Sequence, residues 1–169
     1  MPPQSHHTLR IISGGRICRA VALAGLLLGS ATSISTAFAG ECPPDKVKAN
    51  VRAPVDFKPI GVTDTVLATI DLGKEPIKAS GHMQRVRRLV IQPGGIVPWH
   101  SHNDRPALIY IIDGEINEYN SNCSVPIVHK AGDVARETLG TAHWWKNLTD
   151  KPVVLLSFDI LHDPNDRNM

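Results

Sequence analysis

PGGIVPWHSHNDRPALIYIIDGE, residues 93–115, is the stretch on which the reading of this chain turns. It opens on a Pro-Gly-Gly turn, carries two histidines one residue apart, and runs into the β-rich segment ALIYIIDGE (107–115). On extended backbone, residues i and i+2 point to one face, so His100 and His102 offer two imidazoles to the same side. Asp113-Gly114 is a tight-turn signal, and EINEYNS (115–121) follows at once, so the two segments form a hairpin.

Outward from this hairpin the chain repeats one pattern: a short β-rich run, then a turn. TVLATIDLG (65–73) and MQRVRRLVIQPGG (83–95) precede it. VPIVHKAGD (125–133), VARET (134–138), LGTAHWWKN (139–147) and KPVVLLSFDIL (151–161) follow. No stretch after residue 40 shows a helical stripe of three turns. Short strands at roughly ten-residue spacing, broken by Gly, Pro and Asp, predict an all-β sandwich or barrel.

A third histidine, His143, stands in GTAHWW after a glycine. A barrel is expected to bring its strand opposite the His100/His102 pair, and two imidazoles with a distant third are a common way to build a metal site on β strands. His82, His129 and His162 lie near turns or ends and receive no role.

At this point the sequence resembles the cupin superfamily. The first cupin motif, G-x5-H-x-H-x3/4-E-x6-G, is met by Gly94, His100, His102 and the closing Gly114. The second, G-x5-P-x-G-x2-H-x3-N, is met by Gly132, Gly140, His143 and Asn147. The resemblance spans about residues 85–160 and implies a cupin-type β-barrel (a double-stranded β-helix, or jelly roll). It also implies one divalent metal ion, Fe, Mn, Ni, Cu or Zn, on His100, His102 and His143. The sequence departs from the motifs twice. Thr138 replaces the proline of the second motif. Ala107 stands where the first motif has its ligating glutamate, and alanine cannot ligate. Either the site is a three-histidine one, or a carboxylate comes from elsewhere. Glu137, on the strand leading toward His143, is the first candidate for a fourth ligand, and Asp104 is the second.

Three neutral imidazoles leave a bound ion its charge and open positions. The first functional reading is a metal-dependent, dioxygenase-like oxidoreductase acting on a small organic substrate. The alternatives are a non-redox isomerase of a sugar or keto acid, and a non-catalytic module that binds a small ligand or metal. Glu137 and Arg105 are the candidate catalytic side chains, Arg105 as a partner for a substrate carboxylate. Of Trp99, Trp144 and Trp145, one is a candidate for the pocket mouth and at least two are expected to pack in the core or at an interface. Tyr110 is expected in the core or wall.

The 169 residues allow one domain. The formal charge of +2 owes its sign to Arg10, Arg16 and Arg19; the remainder holds 15 basic and 16 acidic residues. No concentrated basic surface is present, so nucleic acid is not an expected partner. Arg85, Arg87 and Arg88 are read as a solvated strand face. Residues 1–39 have the order of a secretory signal: basic, then the apolar run AVALAGLLLG (20–29), then Ala37-Phe38-Ala39. That run is too short for a membrane anchor. We therefore expect export to the periplasm or outside the cell, cleavage after Ala39, a Pro-rich arm over 40–62, the barrel over 63–162 and a polar tail over 163–169. The two cysteines left after cleavage, Cys42 and Cys123, are a disulfide candidate. A homodimer is also expected, with the arm as a segment able to lie across a neighbour.

Overall fold

The computed structural model describes residues 40–55 and 58–162. The expected signal segment, Asp56, Phe57 and the polar tail from 163 lie outside the described residues. The elements are a 3-10 turn, Pro44–Lys46, and eight strands: β1 (Ile60–Asp71), β2 (Met83–Ser101), β3 (Ala107–Asp113), β4 (Glu115–Asn120), β5 (Ile127–Lys130), β6 (Val134–Glu137), β7 (Ala142–Lys146) and β8 (Val153–Leu161). All described pairings are antiparallel, in the order β5-β4-β7-β2-β8-β3-β6 with β1 on β2. The sheet curls into a nearly closed cupin-type barrel, as the turn-punctuated strand pattern predicts.

β2 organises the barrel because it serves two sets of neighbours. Its first part, Met83–Ile91, pairs with β1 on one side and β8 on the other, and its last part pairs with β7. The strand changes partners at Pro93-Gly94-Gly95. A side chain at position 95 would meet Gln92 O at 2.7 Å, Ile91 Cγ2 at 2.7 Å and Ile60 O at 3.0 Å, so only glycine fits. Gly114 closes the β3–β4 hairpin at φ +87°, where an L side chain is strained.

The inward face of each strand changes character along its length. Leu89 and Ile91 of β2, Ile109 and Ile111 of β3, and Val153 and Leu155 of β8 form the apolar core together with Val97, Ile116, Ala135 and Trp145. Further along the same faces come Arg85, Arg87, Ser157 and Asp159, all buried. This corrects the reading of Arg85 and Arg87 as a solvated face; Arg88 alone of the three points out. The physical reason is pairing. Arg85 forks onto Asp159, Nε to Oδ1 at 3.0 Å and Nη2 to Oδ2 at 2.7 Å. Arg87 donates to Asp64 Oδ2 at 2.6 Å and lies 3.4 Å from Asp159. Buried charges persist when compensated in this way. Tyr110, expected in the core or wall, is 41% exposed on the outer face of β3, since period-2 alternation gives the inward positions to Ile109 and Ile111.

The arm lies on the barrel. Cys42 and Cys123 form a disulfide, with Cα atoms 5.8 Å apart across 81 residues of sequence. Val47 bridges Cys123, Lys48 N donates to Asn122 O at 3.0 Å, and Val51 N donates to Ser121 O at 2.8 Å. The arm thus borrows the backbone groups of the turn after β4.

Candidate metal centre

His100 and His143 are cross-strand Cα partners in the β2–β7 ladder. The third imidazole therefore comes from the neighbouring strand, not from the opposite wall as expected. Directly opposed residues in an antiparallel pair hold their Cβ atoms about 4.5–5.5 Å apart, so pairing alone brings these rings together. His102 lies one residue past the end of β2, where its N–H donates to Thr141 O at 2.8 Å and ties it to the approach of β7. Glu137 ends β6 and is the cross-strand partner of Ala107 on β3. A carboxylate from the adjacent strand thus stands at the register paired with position 107, where the motif has its glutamate. Glu137 is 3% exposed. Asp104, the second candidate, is exposed and stands outside this group.

The four side chains converge. His102 Nε2 is 3.1 Å from His143 Nε2, His143 Nε2 is 3.2 Å from His100 Nε2, and Glu137 reaches His102 Nε2 at 2.7 Å and His143 Nε2 at 3.3 Å. One ligand atom from each lies within 4.8 Å of all the others. Ligands bound to one ion at about 2.1 Å sit about 3.0–3.4 Å apart; His143 Nε2 keeps that spacing from His100, His102 and Glu137, while the Glu137–His102 contact is shorter at 2.7 Å.

The outer ring nitrogens explain why the inner ones converge. His100 Nδ1 donates to Pro98 O at 2.9 Å and His102 Nδ1 donates to Arg105 O at 2.7 Å, since a carbonyl only accepts. His143 Nδ1 donates to Glu118 Oε1 at 2.7 Å. Each neutral ring then carries its lone pair on Nε2. Three lone pairs and a carboxylate facing one another repel unless a cation lies between them. Trp145 Nε1 donates a long hydrogen bond to His143 Nε2 at 3.4 Å, which an ion at this nitrogen would displace. The donor set, three imidazoles and one carboxylate with every outer nitrogen held, fits a divalent ion.

Burial holds His100 well below the ordinary histidine range, and the neighbouring His143 and His102 add to this. Burial also acts to lower His143, but the carboxylates of Glu137 and Glu118 outweigh it and raise the group. Glu118 would be raised by burial, yet His143 and His129 overcome this and hold it well below the usual carboxylate range.

Glu118 and His129 are the residues sequence reasoning missed. Glu118 Oε1 accepts the hydrogen bond from His143 Nδ1, and Oε2 lies 2.8 Å from His129 Nε2. His129, given no role above, is fully buried and stacks on Trp145 with ring centroids 4.5 Å apart. The signal available was period two: Glu118 shares a face with Ile116, and His129 shares one with Ile127. Arg105 is 2% exposed; its carbonyl orients His102 and its Nε lies 4.0 Å from Asp159. Trp145 is the buried tryptophan, while Trp144 stacks on Tyr119 at 4.0 Å. A cavity of ≈ 30 Å³ adjoins the cluster, with His100, His102 and Glu137 on one wall and Arg87 and Ser157 on another.

The sequence profile of the cupin domain family matches residues 87–159, which include all four clustered side chains. No curated protein matches the chain in sequence. Among solved structures, the chain is similar to an uncharacterised conserved protein with a double-stranded β-helix domain from Klebsiella pneumoniae. Identity is 21%, coverage is 63% of this chain and 80% of that one, and the TM-score is 0.48. It is similar to a predicted oxalate decarboxylase from Thermotoga maritima at 21% identity, over 72% of this chain and 98% of that one, with a TM-score of 0.48. It is also similar to the cupin domain of an XRE family transcriptional regulator from Enterobacter cloacae at 14% identity, over 62% and 99%, with a TM-score of 0.46.

Proposed function

We propose that this protein is a divalent-metal-dependent enzyme with dioxygenase-like oxidoreductase chemistry on a small organic substrate, and that His100, His102, His143 and Glu137 hold the ion. The observation that carries this reading is the convergence of three Nε2 lone pairs and one carboxylate oxygen, with every Nδ1 already committed elsewhere. When bound, a redox-active ion at such a donor set supplies Lewis acidity and electron exchange with dioxygen. The chain's own residues do the rest. Pro98 O, Arg105 O and Glu118 fix the ring orientations. Leu89, Ile109 and Leu155 give the adjoining cavity an apolar wall that disfavours water and admits a small apolar gas. The Cys42–Cys123 bridge supports export, since disulfides persist in oxidising compartments.

Elemental analysis of natively expressed protein, followed by oxygen-electrode assays over a panel of small organic acids and phenols, tests the proposal. Bound iron, copper, nickel or manganese with substrate-dependent oxygen uptake supports it. Bound zinc without oxygen uptake turns the reading to isomerase chemistry. Protein that takes up none of these metals leaves a binding module.

A further inference from the structure

We infer that the buried ring of His129 is a seat for the α-ammonium group of Gly40, freed when the Ala39–Gly40 bond is cut on export. Hydrolysis by an export peptidase consumes one water and leaves the carboxylate on Ala39 and the amine on Gly40. The inference goes beyond the metal reading and stands with or without an ion.

His129 is fully buried, and its Nδ1 has no hydrogen-bond partner among the described residues. Its Nε2 donates to Glu118 Oε2 at 2.8 Å, so the neutral ring carries a lone pair on Nδ1. A buried acceptor left unmet costs stability, and only a donor relieves it. Gly40 is buried against this same atom. A Cβ on Gly40 would stand 2.8 Å from His129 Nδ1, too close for carbon but a normal hydrogen-bond length for nitrogen. While the chain continues into residue 39, that position holds only a hydrogen of the glycine. A free terminus can turn about its Cα–C bond, and with no side chain in the way the turn carries the nitrogen into the position. Asp133 Cβ lies 3.5 Å from the same position, and its side chain brings the carboxylate that a buried ammonium needs.

The next two residues are pinned on either side. Glu41 pairs with Arg136 of β6, and Cys42 is bridged to Cys123 after β4. The start of the arm is thereby held beside β5 and the turn that leads to β6. Glu118 carries the link onward, since its other oxygen accepts from His143 Nδ1. The seated terminus ends a line of hydrogen bonds, Gly40–His129–Glu118–His143, that starts at the candidate centre.

The test expresses the complete chain with its own leader and reads the exported product by intact mass. A first residue of Gly40 is expected; any other first residue, or a retained leader, overturns the seat. The folded product is then acylated with limiting N-hydroxysuccinimidyl acetate at neutral pH and mapped by peptide mass, with the exposed Lys74 as internal reference. The Gly40 amine is expected to react at least tenfold more slowly than in the same product unfolded in urea, and equal reactivity overturns the proposal. One alanine inserted between Ala39 and Gly40 keeps a free terminus but moves its amine out of the seat. That amine is expected to react within a few-fold of the unfolded rate; protection at the wild-type level overturns the seat. His129→Phe keeps a ring against Trp145 and removes the lone pair, and is expected to expose the Gly40 amine tenfold or more; unchanged protection again overturns it. If His129→Phe fails to fold, the alanine insertion decides. No reading here involves an ion, so the outcome leaves the proposed function where it stands.

Discussion

At the scale of single residues, each histidine of the site is held from behind. His143 is oriented by Glu118, and Glu118 by His129. Replacing His100 or His143 by Ala should lower metal affinity a hundredfold or more. Glu137→Gln should lower it at least tenfold, and Glu118→Gln about 10–100-fold although Glu118 touches no ion. Competition titration against a chromogenic chelator measures all four. An unchanged affinity in Glu137→Gln would mean that three histidines suffice. Glu118 also predicts a pH effect. Its folded-state pKa is depressed, so the unfolded chain takes the proton first. The stability tied to it is present above the ordinary carboxylate value of about 4.3 and is lost as pH falls below it. Urea unfolding of metal-free protein should fall more steeply between pH 5 and pH 3 in wild type than in Glu118→Gln. The three histidines were legible from motif spacing alone. Glu137 was legible only as a candidate, because its value depends on standing beside Ala107, and register between β3 and β6 is not written in either segment.

At the scale of elements, β8 shows why the rest was hidden. In VVLLSFDIL the inward positions include Ser157 and Asp159, and the outward ones include Phe158 and Ile160. Polarity is inverted in its second half, so hydropathy points the strand the wrong way there. The same inversion concealed Arg85 and Arg87, whose partners lie 74 and 23 residues away in sequence. The strands themselves were legible, because Gly and Pro mark their ends and β-branched residues fill them. Asp159→Ala should destabilise the protein by about 3–5 kcal/mol, since it strands buried guanidinium charge. Phe158→Ser, one residue away on the outer face, should cost far less in a monomer. Denaturant midpoints of the two variants check the contrast; equal losses would mean that the inner polar end is not the stabilised one.

At the scale of the whole molecule, two features set assembly and stability. The Cys42–Cys123 bridge spans 81 residues, and restricting an unfolded chain over such a loop is worth about 4–5 kcal/mol in the chain-entropy model. Reduction should lower the melting temperature markedly, and Cys42→Ser with Cys123→Ser should reproduce the loss without reductant. On the outer face, Leu108 pairs with Phe158 and Tyr110 with Val134, and Ile112 and Ile160 extend the exposed apolar ladder. A contiguous face of this kind is unusual on a monomer. Sedimentation should show twice the monomer mass, and Leu108→Lys with Phe158→Lys should return it to the monomer. A dimer formed in this way would draw its surface from β3 and β8, while the arm's described hydrogen bonds go to its own chain.

The pairing of His100 with His143 and of Ala107 with Glu137 carries one more consequence. A slip of one residue in either ladder turns a ligand from the interior to the outer surface. With the ion of the proposed function, the centre would proofread the barrel: a chain that closes in the wrong alignment would forfeit it, and metal retained after refolding would count the correctly threaded molecules.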